Sequence, residues 1–394
     1  MSTAETASNR FTGLNKAALA VGVVALALAA VAGFHNPEQF FRSYLFAFLF
    51  WIGLPLGSSA ILMLHYLVGG TWGFPLRRLL EAGTKTFWLM AVLMLPILFR
   101  LPVLYAWADP GKVSADPVLQ YKHPYLNVPF FLVRTIIYFG AWLLLAFFLS
   151  RWSRRQDETQ DPAWTDRLKR LSGPGLLVFG LTVTFASVDW VMSLEASWFS
   201  TIYGMIFMVT EALAAMALVT VAVTWLRNDA DLENLVTPQV LNDYGNLLLT
   251  FTMLWAYLSF SQFLIIWAGN LQDEITWYMV RARGGWAGVA LALIVFHFAV
   301  PFLLLLSRFV KRRAQMLGWL AAGLFVMSIV DLYWLTVPAF ERQRPVFHAT
   351  DWLAIVGMGG LWLWRFTSSL RSGPLLPLHD PRIKEVLLRH ATEA

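Results

Sequence analysis

Ten stretches of the chain are each apolar enough, for long enough, to cross a bilayer: 17–33, 44–67, 86–107, 126–150, 173–194, 201–226, 245–267, 285–307, 315–337 and 351–370. A helix needs roughly 20 apolar residues to span hydrocarbon. A backbone in that medium must satisfy its amides internally, so the choice is helices or a closed β-barrel. Barrel strands alternate apolar and polar residues over about 10 positions, and no segment here does so. Composition agrees: 58% hydrophobic and 14% charged residues, with a mean hydropathy of +0.59, exceed what a soluble chain of 394 residues carries. The expectation is an all-α polytopic membrane protein of about ten transmembrane helices. The first run follows a polar leader, Met1 to Lys16. It resembles a signal peptide in part, but it leads into aromatics without a cleavage site and is read as a retained helix.

Loop charge sets the orientation. With both termini on one side, that side collects 20 of the Lys and Arg residues, six of them between Arg151 and Arg170, against 7 on the other. The positive-inside rule then puts both termini in the cytoplasm of a bacterial inner membrane, and the net charge of +6 needs no nucleic acid to explain it. The chain has no cysteine. That excludes thiolate-held iron–sulfur clusters, Cys-x-x-Cys-His haem attachment, cysteine-ligated zinc and disulfides.

A weak internal echo is visible. "YAWADP" (105–110) and "IIWAGN" (265–270) put Trp107 and Trp267 at equal places 160 residues apart, and the same offset carries Leu126 onto Trp286. A duplicated four-helix unit follows as an expectation, 44–194 and 195–337. A leader (1–16), a first flanking helix and loop (17–43), a last flanking helix (338–370) and a cytoplasmic tail (371–394) complete the chain.

Ionisable groups at membrane depth cost at least ~2.5–3.5 kcal/mol on insertion scales, so each is a candidate for function. The first half offers His65, Arg100, Arg134 and Asp189; the second offers Glu211, His297 and Asp331, helped by Tyr257 and Gln262. Asp189 shares a helix face with Thr182, Ala186 and Ser193, and a similar stripe runs Asn127, Phe131, Arg134, Tyr138. Asp189 and Asp331 read as counterparts, each about 22 Å above the cytoplasmic end of its helix. His65 lies at the opposite depth, and Glu211, Arg100 and His297 fall between. Plainer readings stand beside these. Arg100 and Arg134 serve equally well as paired structural charges, His65 as an interfacial histidine bonded to a carbonyl, and Glu195 as a solvated interfacial acid. A b-type haem between His65 and His297 would need matched depths, which the spacing does not give.

Four long motifs carry a resemblance. "YLFAFLFWIGLPLGSSAILMLHYLVGGTWG" (44–73), "PILFRLPVLYAWA" (96–108), "FASVDWVMSLEASWFSTIYG" (185–204) and "WAGNLQDEITWYMVRARGGW" (267–286) resemble the smaller polytopic membrane subunit of bacterial alternative complex III. That complex is a quinol:electron-acceptor oxidoreductase. This subunit type is labelled quinone-binding subunit 2 and is similar to NrfD and polysulfide-reductase membrane subunits. The resemblance runs from Tyr44 to the tail "PLLPLHDPRIKE" (374–385). It implies ten helices in two antiparallel four-helix bundles with a flanking helix at each end, and a subunit without a redox centre of its own, binding no haem or iron–sulfur cluster, with quinone, menaquinone or lipid as candidate small partners. It also implies a larger homologous membrane subunit, an iron–sulfur subunit, c-type haem subunits and a terminal oxidase as associates. The site reading is then a proton route through Asp189, Asp331, Glu211, His297, His65, Arg100, Arg134 and Tyr257, since quinol oxidation releases protons that titratable groups must carry. A secondary transporter and a purely structural anchor for redox subunits are the other two readings.

Overall fold

A computed structural model describes residues 11–229, 231–371, 373–377, 380 and 383. Every regular element among them is helical. The long helices are α1 (Thr12–His35), α2 (Pro37–Val68), α3 (Gly73–Leu98), α4 (Val128–Thr159), α5 (Ala163–Trp190), α6 (Tyr203–Leu226), α7 (Pro238–Gly269), α8 (Gly284–Leu306), α9 (Ala314–Thr336) and α10 (Ala349–Leu370). Nine of them, α1 to α9, are long and apolar enough to cross a membrane, so the chain is a multi-pass membrane protein. The tenth expected span is a continuous helix of 22 residues, less apolar because Asp351, Arg365 and four hydroxyl residues interrupt it.

Local sequence starts and stops these helices. Asn36, Asn127 and Thr237 each accept a backbone N–H three residues on, and a proline follows each within the first two helical positions. Gln160 and Asn270 end α4 and α7 in the left-handed region, at φ 55° and 47°. Two expected boundaries move. Residues 151–172, read as a long basic loop, are mostly helix: α4 runs on to Thr159 and α5 begins at Ala163. The polar residues there are good helix formers, and Ser153 and Gln156 are buried. The third span starts at Gly73 instead of 86 and its long part ends at Leu98 instead of 107.

Helix α2 is the spine: 89% of its most apolar window is buried, against 22% in α8. It packs against α3, α5, α6 and α10. Helices α1 and α10 lie antiparallel, with Asn15 bonded to Thr367 (2.9 Å) and Gly22 opposite Gly360. A Cβ on Gly22 would come within 2.7 Å of the Leu361 backbone nitrogen, so only glycine allows this approach. α4 packs on α5, and α6 packs on both α7 and α9. Large apolar residues are left exposed along α1, α4, α7 and α8.

Candidate functional site

Asp189 and Asp331 differ in the one property that matters for proton exchange, the presence of a cation. Asp189 is fully buried near the end of α5. The Arg134 guanidinium of α4 grips it with both arms, Nε to Oδ2 and Nη2 to Oδ1, each 2.8 Å. The Tyr138 hydroxyl donates to Oδ2 at 2.7 Å. Arg134 is itself fixed: Nη1 donates to the Tyr125 carbonyl (3.0 Å), and the rings of Tyr125 and Phe130 lie 3.9 and 4.3 Å from its Cζ. The two stripes read from the sequence therefore meet face to face, and further along Trp142 Nε1 donates to Thr182 Oγ1. A bidentate arginine, two neighbouring rings and a tyrosine make this a structural clamp. Asp189 is thus the acid partner of Arg134 in a buried ion pair.

Asp331 has no such partner. It is buried on α9, and its Oδ2 accepts from Thr210 Oγ1 of α6 (3.0 Å) and Trp255 Nε1 of α7 (3.1 Å). Next to Thr210 in the chain is Glu211, also buried. Among the described residues the Glu211 carboxylate takes part in no hydrogen bond, and Asp331 is the charged side chain that acts on it. No cation among the described residues acts on either carboxylate. Space for Glu211 comes from α2, where a Cβ on Gly53 would overlap Glu211 Oε2 and one on Gly57 would overlap the Glu211 carbonyl oxygen. Gly53-x-x-x-Gly57 thus lets α6 approach α2 closely and leaves a gap that the carboxylate occupies.

His297 adjoins this pair through Trp255. Its ring meets Trp255 edge to face with centroids 4.6 Å apart, and Trp255 in turn bonds Asp331. It is fully buried, and neither ring nitrogen has a hydrogen-bond partner among the described residues. The helix around it, Leu293–Ala299, is π-helix, a wide turn often found at functional sites.

The remaining predicted residues are elsewhere. Arg100 is exposed at the break between α3 and the short helix Leu101–Leu104, 6.0 Å from the Phe41 ring and in none of the ion pairs among the described residues. Tyr257 is 66% exposed on α7, turned away from the acid pair. Gln262 is buried but bridges Ser200 and Tyr278. His65 packs against Trp72 and Phe74, sharing no aromatic neighbour with His297. Trp107 is buried and Trp267 exposed, so the echo does not place equivalent side chains.

Two buried ion networks escaped the sequence reading. At one end of the bundle Arg77 and Arg78 bind Glu81, and Arg77 also bonds Gln156 (2.7 Å) and Asp380 of the tail (2.8 Å), while Arg78 pairs with Asp157. At the other end Arg281, 1% exposed, donates to Glu195 (2.8 Å) and lies over the Trp277 ring at 3.7 Å. Burial pulls the Arg281 pKa down and Glu195 opposes that. Glu195 is therefore a paired anion, not the solvated acid expected. Both arginine groups were counted as loop charges because nothing in a single sequence marks a loop residue as buried.

In comparisons with known proteins, no family model and no curated protein matches the chain.

Proposed function

We infer that the chain is a membrane subunit of a respiratory quinol oxidoreductase of the alternative complex III type. It supports quinol-linked proton transfer and assembly, and carries no redox centre of its own. The family part of this reading rests on the four sequence motifs. The proton part rests on one observation: Glu211 and Asp331 are buried carboxylates with no cation among the described residues acting on either. Two like charges held in hydrocarbon without a counterion are prohibitive, so such a pair is built to bind a proton. In this reading Glu211 and Asp331 hold and pass the proton, His297 is the next acceptor, and Thr210 and Trp255 keep Asp331 oriented.

The same reading takes α2–α5 and α6–α9 as two four-helix bundles, joined where α2 meets α6, with α1 and α10 flanking. The contacts of α2 with α3 and α5, of α4 with α5, and of α6 with α7 and α9 support it. Antiparallel packing of α10 along α1 supports ten crossings, which with the loop charges gives cytoplasmic termini in a bacterial inner membrane. Proposed partners are the larger homologous subunit, the iron–sulfur subunit and the c-type haem subunits.

The test is quinol oxidation by the assembled complex in proteoliposomes with a pH-sensitive dye. Asp331→Asn and Glu211→Gln should leave haem and subunit content intact while the proton-to-electron ratio falls. Intact complexes with unchanged ratios in both variants would remove the proton role and leave a structural anchor.

A further inference from the structure

The loop before α4 and the end of α5 enclose an open cavity of about 330 Å³. It lies at the end of these helices opposite the tight turn between Thr159 and Ala163. Tyr121, Lys122 and Tyr125 line it from one side, Val188, Met192 and Trp198 from the other. Lys122 is the one cation in this lining. Its Nζ donates to the Ala196 carbonyl at 2.6 Å and lies 5.6 Å from the Phe199 ring. None of the ion pairs among the described residues includes it. Burial pushes its pKa down and no charged neighbour opposes the shift. A partly desolvated ammonium with donors to spare, beside an open cavity, is short of an anion.

The approach to the cavity identifies the anion's carrier. Leu177, Leu181 and Phe185 on α5 are 73%, 63% and 46% exposed, and they follow one another at four-residue spacing up to Val188 in the cavity wall. From Leu177 to Val188 this ridge rises about 16 Å, half the ~30 Å hydrocarbon core. One leaflet's acyl chain fits that length. The tyrosines and Trp198 sit where such rings favour a headgroup boundary.

We propose that this cavity is a specific site for an anionic phospholipid, its phosphate on Lys122 Nζ and one acyl chain along Leu177, Leu181 and Phe185. The site is separate from Glu211 and Asp331 and stands whether or not they carry protons. It joins the loop before α4 to the end of α5, so a bound lipid braces the same ends that the Arg134–Asp189 clamp holds.

Native mass spectrometry of the full chain in mild detergent tests this, with phosphatidylglycerol, phosphatidylcholine and inorganic phosphate as probes. Phosphatidylglycerol should bind in preference to phosphatidylcholine. Lys122→Gln should lower its occupancy constant about fivefold, the contribution of one lysine at a charged headgroup, and Lys122→Arg should retain it. Inorganic phosphate at equal concentration should not displace the lipid, since it lacks the chain contacts; displacement would instead show a site for a free anion. Wild-type protein gives an arm free of folding effects, because a phosphatidylglycerol with a diazirine in its acyl chain should crosslink within residues 177–198. Crosslinks confined to other helices, or unchanged binding by Lys122→Gln, would overturn the proposal.

Discussion

Replacing each of the two buried aspartates by asparagine should have very unequal consequences for stability. In Asp189→Asn the amide oxygen can still accept one bond, but its NH2 now faces a guanidinium that has only donors. Two 2.8 Å contacts from Arg134 and one of 2.7 Å from Tyr138 converge there. Arg134 cannot retreat to water, since the Tyr125 carbonyl and two rings hold it. Stranding that buried cation costs ~3–5 kcal/mol. In Asp331→Asn both incoming bonds, from Thr210 and Trp255, end on Oδ2 and can be kept by the amide oxygen. No cation is stranded, and Glu211 loses a like-charged neighbour. The change should stay within ~1 kcal/mol of the parent, the scale of one neutral hydrogen bond. Equilibrium unfolding of the purified protein in mixed micelles, with SDS as denaturant and tryptophan fluorescence as readout, measures both. A double variant, Arg134→Met with Asp189→Leu, should recover most of the loss because it removes both charges together. Asp189→Asn as stable as the parent, or Asp331→Asn the more damaging of the two, would refute the distinction between clamp and uncompensated acid.

Other substitutions probe the rest of the molecule. Gly57→Ala should destabilise by ~2 kcal/mol or more, because its Cβ meets backbone on α6, whereas Gly53→Ala meets only the Glu211 side chain and should be rescued by Glu211→Ala; the same unfolding assay reads both. Arg281→Lys should cost ~2–3 kcal/mol, since an ammonium cannot reproduce the fork to Glu195, Trp334 and Leu335. A periplasm-active reporter fused after Arg170 or at Ala394 should stay silent in cells; activity at either position would sink the ten-crossing, termini-in topology.

Much of the helix layout was open to sequence reading because bilayer thickness imposes run length, and nine of the ten expected spans correspond to long apolar helices. The Arg134–Tyr138 and Asp189–Thr182 stripes were also legible as single faces, since residues at three- and four-residue spacing point at one neighbour. What depth and spacing could not supply was the identity of that neighbour. The apolar runs match Asp189 with Asp331, yet Asp189 sits at the last turn of α5, next to Trp190, while Asp331 sits a full turn before the end of α9, and α4 offers an arginine to one while α6 and α7 offer a threonine and an indole to the other. Hydropathy also misread the charged ends. Arg77, Arg78, Glu81 and Gln156 look like loop residues by composition, but they bury one another's charges and so extend α3 and α4 beyond the apolar zone. Gly53 and Gly57 were a visible signal of close helix approach, at the spacing that marks such contacts, and they lead directly to Glu211.

The placement of Glu211 also limits where a change in proton occupancy can be felt. On one side the acid abuts α2, and Gly57 lets the α6 backbone come so close that the two helices have no slack. On the other side Asp331 is tied through Trp255 to His297, in a π-helical turn of α8, the least buried of the nine spans. A π turn lacks the tight ladder of an α-helix and can re-register with little loss. A proton arriving at Asp331 weakens its hold as an acceptor on the Trp255 N–H, and the indole edge contact with His297 is then the softest link in the chain of contacts. Displacement from the acid pair should therefore travel outward into α8 and leave the α2–α6 seam in place. Substituting His297 by phenylalanine keeps the ring packing and removes both nitrogens. It should leave stability near that of the parent, because neither nitrogen is bonded, and lower proton movement only if His297 lies on the route.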